Sequence, residues 1–290
     1  MNVKENCDDA KPKKQLFGLK QMPEWLQPSP FIQESYRPAG LESYYFCFQS
    51  IFAIHNETIN IWTHLLAFVW YAWMLGDFHY NSDYYLGGQD KLLITALYIS
   101  WMSMWIFSST YHCLRCHSEA VYHSCYKLDL CGIVVSMSTA TIVFAYYAFY
   151  FDPNLKLTYI SVMTCMGLLA VTWVAVNGIH RHDSCFLSLI ILALMFNVAV
   201  THFASYQEPN SSTGQIVESL WKMNMASGLG CVAFYGDLPE RYLSGQQSLF
   251  SIIPQGHQIM HIATSIAGWY TIDIILITSK YSLQRSESVV

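Results

Sequence analysis

Long apolar runs separated by short polar stretches dominate the chain from residue 58 onward. An α-helix of about 20 apolar residues is long enough to cross the hydrocarbon core of a bilayer, and the runs have this length. The pattern therefore predicts an all-α integral membrane protein with seven transmembrane helices. We place the spans at Thr58–Phe78, Lys91–Tyr111, Leu130–Phe151, Leu157–Asn177, Ser184–Ser205, Ile216–Tyr235 and His257–Ser279.

The regions outside the spans differ in composition. Residues 1 to about 40 mix charges with prolines, which favours a flexible tail with short docked pieces. Leu41–Ile54 is rich in aromatic residues but short for a span, and predicts an interfacial helix. We divide the chain into an N-terminal tail (1–57), a seven-helix transmembrane domain (58–279) and a short C-terminal tail (280–290).

Composition supports the membrane assignment, since 53% of residues are hydrophobic and only 12% are charged. The net charge is −5 and the fifteen basic residues are scattered, so no nucleic-acid partner is expected. The N-terminus is polar, which argues against a cleavable signal peptide. The nine cysteines follow no disulfide framework, and we interpret most of them as small buried apolar residues.

Ionisable residues stand at the rims of three predicted spans. His112 follows the second span, Asp129 precedes the third, and His257 and His261 open the seventh. Ionisable groups at membrane depth are costly unless they are paired, hydrated or bound to something, so they indicate function. Residues i and i+4 share one helix face, so His257 and His261 can reach one metal ion.

Alternation of seven spans places His64, His112, Asp129, His257 and His261 in one leaflet. Three imidazoles with an open fourth position form the layout of a catalytic zinc site. The alternative is that each histidine is a hydrogen-bonded residue of the bundle. We favour metal binding for His112, His257 and His261, and a hydrogen bond between helices for His64.

Two more residues complete this interpretation as catalytic candidates. A zinc ion lowers the pKa of its bound water to about 7, and Asp129 would orient or deprotonate that water. Ser108 lies one helical turn before His112 and would donate to a developing oxyanion or hold a ligand.

A rival metal site lies in the loop after the second span. Cys113 and Cys116 have CxxC spacing, and His117, His123 and Cys125 follow. This group would hold a structural zinc, although the second half of a zinc finger is missing.

Charge and one glycosylation motif bear on orientation. Ten Lys and Arg residues fall on the N-terminal side of the seven spans and five on the other side. Five of the ten, from Lys4 to Lys20, lie far from the first span, and without them the bias disappears. Asn210-Ser211-Ser212 is a glycosylation sequon on the opposite side. We predict a cytoplasmic N-terminus, an extracellular or lumenal C-terminus, and residence in the plasma membrane or an endomembrane.

Five ordered motifs resemble the progestin and adipoQ receptor family of the haemolysin III-like superfamily. That family includes the adiponectin receptors and fungal zinc-homeostasis relatives. The motifs are HNETINIWTHL (55–65), SSTYHCLRCHSE (108–119), KLDLCGI (127–133), LPERYLSG (238–245) and GHQIMHI (256–262).

The resemblance implies a seven-helix bundle with an intramembrane zinc near the cytoplasmic side. His112, His257 and His261 match the zinc ligands, and Asp129 and Ser108 match the remaining polar positions of the site. Glu57 and Asn60 match polar positions of the first motif, which we interpret as bracing helix ends. Leu243-Ser244-Gly245 replaces the Pro-Gly of the family, which puts the shape of that loop in doubt.

Three functions compete under this resemblance. One is a zinc-dependent lipid hydrolase that cleaves ceramide. Another is a receptor for a sterol-like, steroid or extracellular protein ligand that signals to cytosolic partners through the N-terminal tail. The last is a regulator of zinc and sterol or lipid homeostasis in which zinc is structural. We favour a receptor-like protein that contains a ceramidase-like site.

Overall fold

The structure is a computed structural model that describes residues 15–27, 29–81, 86–177, 182–207, 211–245 and 248–287. Asn210 of the sequon lies outside the described residues. Within these ranges, seven long helices follow a short helix α1, and a four-residue helix α8 precedes the last of them. The helices are α1 (Tyr44–Ser50), α2 (Thr58–Tyr80), α3 (Gly88–Leu114), α4 (Glu119–Ala148), α5 (Pro153–Asn177), α6 (His182–Tyr206), α7 (Ser211–Tyr235), α8 (Glu240–Leu243) and α9 (Gly256–Glu287). The described part of the chain also has three 3-10 turns, at Leu19–Gln21, Glu24–Leu26 and Ser248–Ser251.

Among the described residues, five of the long helices are long and apolar enough to cross a bilayer: α3, α4, α5, α6 and α9. Helices α2 and α7 have 23 and 25 residues but are not among the five. In α7, Glu218 and Lys222 lie four residues apart and form an ion pair of 2.5 Å. The structure confirms an all-helical membrane protein, and the seven-span count stays a prediction.

Two helices extend beyond the predicted spans. Helix α4 begins at Glu119 rather than Leu130, because the Ser118 hydroxyl accepts a hydrogen bond from the Val121 amide and caps the helix. Asp129 therefore lies inside α4 instead of at its rim. Helix α9 likewise continues past Ser279 to Glu287. The length of an apolar run indicates which part of a helix lies in lipid. Polar turns at its ends extend the helix beyond that part.

The N-terminal segment from residue 15 onward includes pieces docked on the bundle. Phe17 pairs with Tyr36 in an antiparallel bridge. Met22, Leu26, Ile32 and Tyr36 are buried in a cluster with residues of α1, α2 and α3. These few apolar side chains are buried against the bundle and need no core of their own, so a segment of polar composition can dock here.

Helix α1 is short and amphipathic. The Ser43 hydroxyl caps it by accepting a hydrogen bond from the Phe46 amide at 3.2 Å. Cys47 and Ser50 point into the protein, while Tyr45, Phe48 and other aromatic side chains remain exposed. This pattern fits an interfacial helix, and its depth in a membrane stays a prediction.

Helix α9 packs against α2, α4 and α7, and small residues permit the close approach. A Cβ atom at Gly268 would lie 2.6 Å from the Tyr71 hydroxyl and 2.7 Å from Cζ3 of Trp101. That hydroxyl also donates a hydrogen bond of 2.9 Å to the Ser265 carbonyl of α9. Glycine at 268 therefore lets two aromatic side chains fill the space between α9, α2 and α3.

The variant Gly268→Ala is expected to destabilise the protein by about 1–3 kcal/mol, because the added methyl overpacks this contact. Gly228→Ala on α7 is the matched control, since a Cβ atom there meets nothing within 4 Å. It should be neutral or stabilising by up to about 1 kcal/mol. Thermal unfolding in detergent measures both, and equal melting temperatures for the two variants would contradict the packing argument.

Candidate metal centre

Three histidines from two helices meet at one end of the bundle. His112 comes from the last turn of α3, and His257 and His261 come from the first turns of α9. Their candidate ligand nitrogens all lie within 4.8 Å of one another, and Nε2 of His112 is 3.2 Å from Nε2 of His257. Two nitrogens on one tetrahedral zinc would be about 3.3 Å apart, given N–Zn bonds of about 2.0–2.1 Å. The spacing therefore suits a shared ion.

His112 is oriented by a buried carboxylate. Oε2 of Glu57 accepts hydrogen bonds from Nδ1 of His112 and Nδ2 of Asn60, both at 2.8 Å. Oε1 of Glu57 accepts from the Arg115 guanidinium at 2.7 Å. Burial alone would raise the pKa of Glu57, but Arg115 and His112 hold it well below its usual range. Since Nδ1 of His112 donates to Glu57, Nε2 is the nitrogen left for a metal.

His261 is oriented in the same way by Thr63, which we did not identify from the sequence. The Thr63 hydroxyl donates its only hydrogen to the Asn60 carbonyl, so it accepts from Nδ1 of His261 at 3.0 Å. Nε2 of His261 is therefore the nitrogen free to bind. The only sequence signal was the position of Thr63, directly before His64 in the first motif. Two imidazoles held in the metal-binding tautomer by neighbouring oxygens fit zinc.

The start of α9 is fixed by the motif at 238–245. Oε2 of Glu240 accepts a hydrogen bond of 2.7 Å from the Gly256 amide, which caps the helix that carries His257 and His261. A Cβ atom at Gly256 would collide with the Ala233 carbonyl, so glycine is required there. Glu240 thus has a positioning role despite the altered residues that follow it.

The hydrogen bond between helices predicted for His64 is replaced by a ring stack. The centroid of the His64 ring lies 3.6 Å from that of the His261 ring, with an angle of 15° between the ring planes. The ring of Trp105 lies 4.9 Å away on another side. His64 therefore supports His261 through packing and is not one of the three gathered histidines.

Asp129 and Ser108 form a pair on the neighbouring helices. The Asp129 carboxylate on α4 interacts with the buried Ser108 side chain on α3. Asp129 therefore faces α3 one turn before His112. Asp129 is not one of the grouped ligands. The catalytic roles of both residues stay predictions.

The loop cysteines do not assemble into the rival metal site. Cys113 and Cys116 are buried beside Cys47 of α1, with 3.7 Å between the sulfur atoms of Cys47 and Cys116. His123 instead faces Glu119, at 3.6 Å. Among the described ranges, the three histidines are the group whose ligand atoms converge.

The fold and this cluster define a class: an all-helical membrane protein with a buried histidine group suited to a metal ion. Residues 52–272 match the family model described as Haemolysin-III related, and the chain belongs to this family. The match confirms the resemblance seen in the five motifs.

Several characterised relatives carry receptor names. The chain is 30% identical over 283 residues to the adiponectin receptor protein of Drosophila melanogaster, covering 93% of this chain and 61% of that protein. It is 34% identical over 150 residues to progestin and adipoQ receptor-like protein 1 of Caenorhabditis elegans, covering 52% and 34%. It is 25% identical over 244 residues to human membrane progestin receptor alpha, covering 80% and 68%. The chain thus spans less than two thirds of the fly and worm relatives.

Proposed function

We propose that the chain is a seven-transmembrane receptor-like protein with a zinc-dependent, ceramidase-like lipid hydrolase site linked to lipid signalling. The observation that carries the proposal is the convergence of His112, His257 and His261 on one point. Two of these imidazoles have Nδ1 hydrogen-bonded to an oxygen, which leaves Nε2 as the nitrogen that can bind zinc.

The residues of the site suit hydrolysis of an amide. A bound zinc would supply a Lewis acid that polarises a carbonyl and activates water at neutral pH. Asp129 accepts a proton from the attacking water, and Ser108 holds the Asp129 carboxylate in place. Water adds across the amide C–N bond, which releases a fatty acid and an amine. The proton taken by Asp129 goes to the leaving nitrogen.

The receptor part of the proposal is supported by the names of the relatives and by the membrane fold. A site among apolar helices suits a substrate or ligand that enters from the bilayer, such as ceramide or a sterol-like or steroid lipid. An extracellular protein ligand and cytosolic signalling partners of the N-terminal tail belong to the same proposal. It includes a cytoplasmic N-terminus and a plasma-membrane or endomembrane location.

The second candidate function is a non-catalytic receptor or a regulator of zinc and lipid homeostasis in which zinc is structural. One observation favours it: the three gathered histidines come from two helices, so an ion bound to them would join α3 to α9. Under this alternative the metal would hold α3 and α9 together, as structural zinc ions do.

Purified protein is expected to hold one zinc per chain, and His257→Ala or His261→Ala should lose most of it. Two remaining imidazoles bind zinc poorly because each lost ligand removes a large share of the binding free energy. Elemental analysis of detergent-solubilised protein measures the metal. His202→Ala is the matched control, because His202 contacts Tyr159 on α5 at 2.8 Å and is not part of the group.

Two results would count against this centre. Full zinc content in the double variant His257→Ala/His261→Ala would show that the metal lies elsewhere. Loss of zinc on changing Cys113 and Cys116 to serine, with no loss on changing the histidines, would assign it to the loop.

A further inference from the structure

The N-terminal segment reaches the metal centre through one buried arginine. The side chain of Arg37 enters between α1 and the end of α3. Its Nη2 donates to the carbonyl of His112 at 2.6 Å, and its Nη1 donates to the carbonyl of Cys113 at 2.8 Å. Nη1 also donates to the Ser50 hydroxyl of α1 at 2.7 Å. The Arg37 guanidinium therefore connects the N-terminal segment to α1 and to the backbone of His112.

These carbonyls belong to the last turn of α3, where helical hydrogen bonding runs out. The last four carbonyls of a helix have no partner within the helix, and a positive charge near them is favourable. Such an end frays unless something supplies donors. Arg37 supplies two donors to two adjacent carbonyls, so it holds the backbone of His112 in place.

Other contacts of the segment lie at the same end of the bundle. The Ser35 carbonyl accepts from the Asn56 amide at 2.9 Å, directly before Glu57. The Glu34 amide donates to the Ser251 hydroxyl at 3.1 Å, in the stretch before α9. The segment thus contacts the residues before α2 and before α9, in addition to the end of α3. Glu57 and the three histidines lie at these same helix ends.

We propose that Arg37 is a positioning residue for the metal centre, so that the N-terminal segment sets how tightly His112 holds the ion. This inference rests on the proposed metal site and adds a means of regulation to it. Displacement of Arg37 frees the last turn of α3, the His112 imidazole loses its fixed position, and the affinity for zinc falls. The residue contacts backbone atoms and does not touch the reacting groups.

The test compares Arg37→Gln and Arg37→Lys with Arg241→Gln in the full chain. Arg241 is a matched control because its guanidinium also packs on the N-terminal segment, 5.3 Å from the Phe31 ring, but pairs with Asp237 and is about half exposed. Zinc affinity is measured by competition with a chelator. The visible spectrum of the cobalt-substituted protein reports the geometry of the ligands.

Arg37→Gln should weaken zinc binding by about 10- to 100-fold, as is typical for partners that orient a ligand. It should also shift the cobalt absorption bands. Arg37→Lys should fall between Arg37→Gln and wild type, because a single ammonium lacks the planar fork that reaches two carbonyls. If Arg37→Gln does not fold, the zinc affinity and cobalt spectrum of Arg37→Lys still test the inference. Arg241→Gln should bind zinc like wild type.

Unchanged zinc affinity and an unchanged cobalt spectrum in Arg37→Gln would overturn the inference. So would a lower melting temperature with wild-type affinity, because that is the result of a purely structural role. In either case a wild-type protein that holds zinc leaves the proposed function standing. A wild-type protein that binds no metal overturns both.

Discussion

Replacing Glu57 with glutamine is expected to weaken zinc binding by about 10- to 100-fold and to destabilise the protein by about 3–5 kcal/mol. The carboxylate accepts from His112 through one oxygen and from Arg115 through the other. Glutamine keeps the size of the side chain but loses its charge. The amide keeps one acceptor oxygen and turns the other position into an N–H donor, so it can no longer accept from both His112 and Arg115. His112 loses its anionic partner, and Arg115 becomes a buried cation without a counter-ion.

The measurements are zinc affinity by chelator competition and thermal unfolding in detergent. Glu218→Gln is the matched control, because Glu218 also forms an ion pair, with Lys222, but both side chains are largely exposed. Solvent screens an exposed ion pair so that it adds little to stability, and neither zinc affinity nor stability should change by much.

A double variant separates the two effects of Glu57. Adding Arg115→Met to Glu57→Gln removes the unpaired buried cation, so stability should partly return. Zinc affinity should stay low, because His112 still lacks its carboxylate partner. If Glu57→Gln binds zinc like wild type, Glu57 serves only Arg115 and has no role at the metal.

The gathering of the histidines could be predicted from the sequence. Spans that alternate in direction place the end of one helix beside the start of another, and the spacing of His257 and His261 puts both on one helix face. These are properties of helical geometry and of hydrophobic length. In the structure the candidate ligand nitrogens of His112, His257 and His261 lie within 4.8 Å of one another, as this geometry predicts.

The partners of the histidines were harder to predict. The resemblance suggested that Glu57 and Asn60 brace helix ends, but the contact of Glu57 with His112 depends on side-chain geometry across 55 positions of sequence. Nothing in the sequence indicates the contact of Thr63 with His261 except the position of Thr63 in the first motif. The hydrogen bonds that choose a tautomer cannot be read from residue spacing.

Helix ends and docked segments were predicted least well. The start of α4 depends on the Ser118 cap, which apolar length does not detect. The N-terminal segment is ordered by a few buried side chains and by Arg37, although its average composition is polar. In both places a local interaction determines the structure, although the composition of the whole stretch predicts a different one.

Asp129→Asn is expected to lower amide hydrolysis by about 10²- to 10⁴-fold, the usual contribution of a general base. The variant should keep its zinc, because the three imidazoles remain. It should also keep its fold, because asparagine has nearly the size of aspartate and its amide can still form polar contacts with Ser108. The measurement is fatty acid released from short-chain ceramide by detergent-solubilised protein, normalised to bound zinc.

Asp273→Asn is the matched control for this loss. Asp273, like Asp129, interacts with a serine on a neighbouring helix: it accepts a hydrogen bond from Ser219 at 2.7 Å. It lies twelve residues beyond His261 on α9, which is about 18 Å along the helix. Its replacement removes a similar carboxylate from the helical bundle but should leave hydrolysis close to the wild-type rate.

His112→Ala separates an enzyme from a receptor that uses zinc only for structure. This variant should lose zinc and hydrolysis together, whereas Asp129→Asn should lose hydrolysis alone. A site that performs chemistry needs both the ion and the base, so only a hydrolase gives this pair of results. If wild-type turnover is no higher than that of His112→Ala, the zinc is structural and the regulator of zinc and lipid homeostasis becomes the better account. If Asp129→Asn hydrolyses ceramide as fast as wild type, the proton acceptor is a different residue, although the metal centre stands.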